Sequence, residues 1–121
     1  MTFSILINLY KKVEITGEIE FDDNLILFYN LDNQVMYTIN INEVEKIKLI
    51  YNAYKGDIPE SSGFFTLDYI PSKGGSNHII IKINNKSTGY NIYLKDTNEA
   101  YYFKKLYRDL KGKNMNVEYD Y

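Results

Sequence analysis

The chain has no cysteine, no tryptophan, one histidine and one arginine. Without a thiol there is no disulfide framework, no cysteine-ligated zinc or iron–sulfur centre and no cysteine nucleophile. With His78 alone, any triad, histidine–metal cluster or imidazole proton shuttle rests on a single side chain. Excess charge is scarce too. The 14 basic and 16 acidic residues leave a formal net charge of -2, too small for the whole-molecule field to gather a polyanion, so nucleic acid is not implied. Long apolar runs are missing as well: residues 3–9 and 78–83 are the longest, far short of the ~20 residues that cross a bilayer as a helix. The first apolar run has no basic stretch before it and no small-residue cleavage site after it, and this reads as a cytoplasmic chain without a secretory signal.

What is present is enough for one core. A length of 121 residues fits a single domain. Hydrophobic residues at 45% and aromatic residues at 16% lift the chain well above disordered composition, because they supply apolar surface to offset ordering entropy. Thirteen tyrosines, with abundant Ile, Asn and Lys, also fit an AT-rich coding bias, so raw composition is not itself a functional signal.

Periodicity carries the fold. Over residues 3–21 the odd positions are mostly apolar and the even ones mostly polar, which predicts extended chain with a break near Lys11-Lys12 or Gly17. Asp22-Asp23-Asn24 and Asp32-Asn33-Gln34 supply turn chemistry around a strand at 25–29. Val35, Tyr37, Ile39 and Ile41 fall on one face of the next strand, and Ile47, Leu49 and Tyr51 on one face of another. Residues 52–63 lack periodicity and read as the longest loop or a frayed strand extension; 64–70 and 78–83 resume strand character around a loop at 71–77, and Tyr90, Ile92 and Leu94 alternate on the last strand. Then the period changes. Asp96 and Glu99 match a capping box, and Ala100, Phe103, Leu106, Tyr107 and Leu110 form one helical stripe, with Gly112 placed for a left-handed stop. The expectation is a mainly β chain of about seven strands closed by one C-terminal helix, with residues 113–121 a loose tail.

This succession resembles the pleckstrin-homology-like (PH-like) superfamily, in particular its bacterial branch. The resemblance rests on the segment Thr38-Ile39-Asn40-Ile41-Asn42-Glu43-Val44-Glu45-Lys46-Ile47 and on the run from His78, Ile79, Ile81 and Ile83 through Tyr90, Ile92, Tyr93 and Leu94 into the helix with Phe103, Leu106 and Leu110. It implies a small antiparallel barrel over residues 1–112, its open end plugged by the helix. No stretch within these 121 residues is long and apolar enough to be one of the membrane helices that often precede such domains, and the basic cluster of the phosphoinositide-binding members is reduced to Lys11 and Lys12.

Catalytic patterns are largely wanting. His78 sits at a strand end with no converging partner in sequence; Glu14, Glu18, Glu20 and Asp22 share the polar face of their strands. Asp22-Asp23-Asn24 reads as a turn before it reads as a calcium loop, Gly74-Gly75 lacks the Lys-Ser/Thr of a phosphate cradle, and Ser61-Ser62-Gly63 lacks a nearby base. No cofactor or metal is expected. The expected function is non-enzymatic binding of a protein or peptide through the 52–63 loop and the sheet edge beside it, with Tyr54, Lys55 and Phe64 as contact residues. The alternative is an anionic lipid surface or a small molecule at the barrel mouth, held by Lys11, Lys12, Lys104, Lys105 and Arg108. Exposed sheet edges also make a homodimer an expectation.

Overall fold

The computed structural model describes residues 4–11, 14–55 and 77–120. Among these residues eight strands and one α-helix follow in chain order, with a single 3-10 turn at Ile41–Glu43: β1 (Ser4–Lys11), β2 (Glu14–Asp22), β3 (Leu25–Tyr29), β4 (Val35–Asn40), β5 (Lys46–Ile50), β6 (Asn77–Ile83), β7 (Lys86–Tyr93), α1 (Thr97–Gly112) and β8 (Val117–Asp120). The strands form one sheet in the order β4-β3-β2-β1-β7-β6-β5-β8. Two antiparallel meanders, β1 to β4 and β5 to β7, are joined through β1 and β7, and β8 adds in parallel to β5. The chain is therefore mainly β with a C-terminal helix, as its periodicity predicts. The sheet is open, with β4 and β8 as its two edges among the described residues. The strand expected at 64–70 and the loops beyond residue 55 lie outside those residues.

Although open, the sheet is strongly curled. In a flat sheet β3 and β7, three steps apart in the strand order, would be roughly 14 Å from each other. Instead the Phe28 ring on β3 lies 4.9 Å from that of Tyr90 on β7 and stacks at 4.2 Å on Tyr37 of β4, whose hydroxyl lies 3.3 Å from that of Tyr90. Burial first, and the Tyr37 bond second, push the Tyr90 hydroxyl above the ordinary tyrosine range. Curling lets one core collect the inward residues of both meanders. Ile5 and Ile7, Ile19 and Phe21, Ile26 and Phe28, Ile47 and Leu49, Ile79 and Ile81, and Ile92 all join it, and Phe103, Leu106 and Leu110 of α1 lie in the same cluster.

Local chemistry explains the punctuation. Asn84 and Asn85 both take positive φ, 51° and 63°, between paired Ile83 and Lys86, which is the two-residue hairpin turn that asparagine tolerates. Asp22 Oδ1 accepts the Asn24 and Leu25 amides at 2.9 and 2.7 Å and closes the β2–β3 turn. Gly17 is no break. It lies inside β2, where a Cβ would run into the Tyr29 carbonyl oxygen of β3. At the start of α1 the Asp96 carboxylate accepts the Glu99 amide at 3.0 Å, while Glu99 reaches back to the Lys95 amide at 2.9 Å. The helix ends differently from expectation. Gly112 is its last residue, and the left-handed position is Asn114 (φ 62°), whose amide donates to Lys111 while that of Met115 donates to Leu110. That is the double closure of a Schellman stop, with asparagine in the role commonly taken by glycine.

The expectation of a loose tail is corrected over Val117–Asp120. The Ile47 amide donates to Asn116 at 2.9 Å and the Tyr51 amide to Asp120 at 2.7 Å, Val117 is buried, and the Tyr119 ring lies 5.5 Å from that of Tyr107. Four residues are too few to display a period, but the β5 edge offers them backbone partners and α1 offers them an apolar wall. β4 also departs from expectation: only Ile39 is half-buried, and the pairing slips by one residue, Phe28 opposing Tyr37 while Tyr29 opposes Val35.

These contacts order the costs of mutation. Phe103→Ala, which empties a fully buried site, is expected to lower the unfolding free energy by about 3–5 kcal/mol. Asp96→Ala, which removes only the helix cap, is expected to cost about 1 kcal/mol. Urea titration followed by circular dichroism measures both; equal losses would contradict the placement of Phe103 in the core.

Candidate functional site

The site grows from one buried polar side chain. Asn77 opens β6 in phase with Ile79 and Ile81, so it points into the interior and is fully buried. Its Oδ1 accepts the Asn52 and Ala53 amides at 2.7 and 3.1 Å, and its Nδ2 donates to the Ala53 carbonyl at 2.7 Å. A carboxamide is suited to this task because it offers an acceptor and a donor to a backbone that has left the sheet ladder. The segment is held at both ends as well, by the Tyr51 amide on Asp120 and by the Lys55 amide on Leu94 at 2.8 Å. Residues 51–55 are thus fastened to β6, β8 and the residues leading into α1, and Tyr54 is carried into a fixed position.

Next to that segment lies an open cleft of about 370 Å³. Tyr51 and Tyr54 form one side, Tyr101, Ala100 and Lys104 of α1 another, and Tyr119 of β8 also lines it. Thr97, Tyr101, Lys104, Arg108 and Lys111 follow at spacings of three and four, so the cations and the aromatic ring share one helical stripe. Arg108 stands over the Tyr101 ring at 5.5 Å and Lys111 over the Tyr107 ring at 5.5 Å. Tyrosine walls present apolar faces with hydroxyls at the rim, and the lysine adds a positive charge. Such an arrangement suits a flat or apolar group carrying nearby negative charge.

The structure sorts the residues expected to bind. Tyr54, from the peptide reading, and Lys104, from the anionic-surface reading, line the same cleft. Lys55 is exposed beside it. Arg108 joins through Tyr101, whereas Lys105 is bonded to Asp109 at 2.9 Å on another face. Phe64 and Lys12 lie outside the described residues, and for Lys11 only the strand backbone is described. The sheet edge beside residues 52–55 is β8, and its Tyr119 is a wall of the cleft. Asn77 and Tyr119 were not singled out from sequence. The signal for Asn77 was its phase with Ile79 and Ile81; for Tyr119 it was the alternation with Val117.

Elsewhere several polar groups are engaged in structure. His78 Nδ1 lies 2.8 Å from Asn91 Oδ1 on the neighbouring strand. Glu20 accepts the Tyr29 hydroxyl at 2.6 Å, a bond that raises the Tyr29 pKa above its ordinary value. Asp23 is paired with Lys113 at 2.8 Å, tying the β2–β3 turn to the residues after α1. A second cleft, of about 320 Å³, lies between Leu6, Tyr93 and Tyr102 at the start of α1, but its carboxylates, Asp96 and Glu99, are used by the helix cap. No family model, curated protein or solved structure matches the chain.

Two outcomes follow from the anchoring of the cleft. Asn77→Ala strands two amides and a carbonyl at once, and is expected to cost about 3 kcal/mol in chemical denaturation; a loss no larger than that of an exposed asparagine such as Asn91 would contradict the clamp. Lys46 lies 2.6 Å from Glu118, and this bond holds the Glu118 carboxyl below the ordinary carboxylate range. A lowered folded-state pKa means that the pair's small contribution is present above the unfolded value and is lost as pH falls through the folded one. An NMR carboxyl titration is expected to show that depressed midpoint in the native chain and its return to the ordinary range in Lys46→Met.

Proposed function

We propose that the protein is a non-enzymatic binding module that takes an extended peptide segment into the cleft between residues 51–55, α1 and β8. An aromatic or apolar side chain of the peptide sits among the tyrosines, and acidic residues beside it face Lys104 and Arg108. The observation that carries this reading is the convergence of Tyr51, Tyr54, Tyr101 and Tyr119 with Lys104 around one concavity. Aromatic pockets of this kind supply most of the energy where peptides bind, and a cation at the rim selects their flanks.

The PH-like assignment belongs to the same proposal. Seven antiparallel strands in two meanders followed by a C-terminal helix support it, and so does the curl that brings Tyr37 against Tyr90; closure into a barrel is the further step it asks for. The rival reading, an anionic lipid surface, draws on the same Lys104 and Arg108 but has less to support it, because Lys105 and Lys113 are held by Asp109 and Asp23.

The chain has no tryptophan, so a short probe peptide with one tryptophan flanked by glutamates can be followed by its own fluorescence. Binding is expected to shift the probe's emission to the blue, with Tyr54→Ala and Tyr101→Ala each weakening affinity about tenfold or more while leaving the fold intact. Raising salt is expected to weaken binding only a few-fold, since about one or two charge contacts are involved. Equal binding of a lysine-flanked probe, or steep salt dependence together with binding to anionic vesicles, would overturn the peptide reading.

A further inference from the structure

Asn77 is a polar residue on the concave face of the sheet with a task inside the chain, and two others on that face have none. Along β7, Lys86 and Thr88 alternate with Tyr90 and Ile92; Lys86 opposes Ile83 of β6 and Thr88 opposes Ile81. The two-residue period therefore sets both polar residues on the face that elsewhere forms the core. Both are exposed, and among the described residues neither side chain makes a hydrogen bond or an ion pair. They line a cleft of about 360 Å³ at the seam where β4 faces the β6–β7 hairpin, together with Ile39, Ile81, Ile83 and Tyr90. Tyr90 is fixed there by the Phe28 ring at 4.9 Å and the Tyr37 hydroxyl at 3.3 Å. No carboxylate of the described residues lines this cleft. Glu45 accepts the Asn85 amide at the hairpin tip, at 3.2 and 3.3 Å, and Lys82 alternates to the outer face of β6.

We propose that this cleft binds a small anionic amphiphile, one carboxylate on an unbranched alkyl chain, taken up as a free monomer. The walls select the tail. Ile39, Ile81 and Ile83 present branched aliphatic surface, unlike the tyrosines of the cleft beside α1, and an alkyl chain gains by burial against them with no call on ring stacking. Charge selects the head. Lys86 supplies one ammonium and Thr88 one hydroxyl beside it, which matches a single negative charge with two acceptor oxygens; a phosphate would draw on a larger cluster of cationic donors. The lone cation also separates a free amphiphile from a membrane, since proteins engage anionic bilayers with clusters of about 4–8 Lys or Arg. The cleft falls within the usual range of small-molecule sites, about 300–1,000 Å³. Because Lys86 and Thr88 are open to water, affinity is modest, with a dissociation constant on the order of 1 mM for a chain of about ten carbons.

Decanoate, titrated into the full chain below its micelle concentration and followed by NMR of the isoleucine methyl groups, tests this. Ile39, Ile81 and Ile83 are expected to shift saturably, while Ile5 and Ile19, buried elsewhere in the core, stay unmoved. Decylammonium, with the same tail and the opposite charge, is expected to bind at least about fivefold more weakly. Lys86→Gln is expected to weaken decanoate about three- to fivefold and decylammonium not at all, with an unchanged melting temperature because Lys86 makes no bond to lose. Tyr54→Ala leaves decanoate binding intact, so this site and the peptide cleft fail separately. The absence of any saturable shift at Ile39, Ile81 and Ile83 up to about 10 mM overturns the proposal. Equal affinity for the two amphiphiles, unchanged affinity in Lys86→Gln, or binding to phosphatidylglycerol vesicles without binding of monomeric decanoate would each overturn it as well.

Discussion

A sheet with one continuous apolar face must hide that face, and the described residues hold one α-helix with which to help do it. A flat eight-stranded sheet would leave much of the face wet; curling brings the two meanders over a common interior, and α1 covers part of what remains. Ile19, Phe21 and Ile26 of the first meander and Ile47, Leu49 and Ile79 of the second share one cluster with Phe103, Leu106 and Leu110. The hydrophobic stripe of α1 is thus a condition for the curl, and the curl in turn sets where Tyr37, Tyr90 and the ends of the sheet lie. Lys113 on Asp23 adds a polar tie from the residues after the helix to the β2–β3 turn.

The candidate site is a by-product of the same arrangement. Once the Phe103–Leu106–Leu110 stripe is committed to the core, the Tyr101–Lys104–Arg108 stripe faces outward, beside the place where the chain leaves β5. Asn77 turns that adjacency into a fixed geometry. It occupies an inward position of β6 that an aliphatic residue would fill, and uses it to hold residues 52 and 53 outside any strand. Burying a carboxamide is costly unless its hydrogen bonds are made. Here they are made, and they give the cleft its Tyr54 wall.

Much of the fold was legible because it obeys simple periods. The alternation through Ile19 and Phe21, the asparagine turns, the Asp96 cap and the Phe103 stripe each express a local rule, and the elements stand where those rules put them. What escaped was decided by distant parts of the chain. Val117–Asp120 pairs because β5 and α1 are waiting for it, β4 is exposed because nothing described covers its outer side, and Asn114 ends the helix after Gly112 through bonds to Lys111 and Leu110. Of the site, Tyr54 and Lys104 were legible as separate candidates. Their meeting was not, because it depends on the Asn77 bonds and on the angle of α1.

Native-state hydrogen exchange tests most directly the claim that α1 and the Asn77 clamp belong to the same cooperative unit as the sheet. The amides of Leu106 and Leu110 and the amide of Ala53 are expected to exchange only by global unfolding, with the same free energy and denaturant dependence as Ile79 in central β6. If the helix or Ala53 exchanges through a far cheaper opening while Ile79 stays protected, the helix is an accessory to the sheet and the account is wrong.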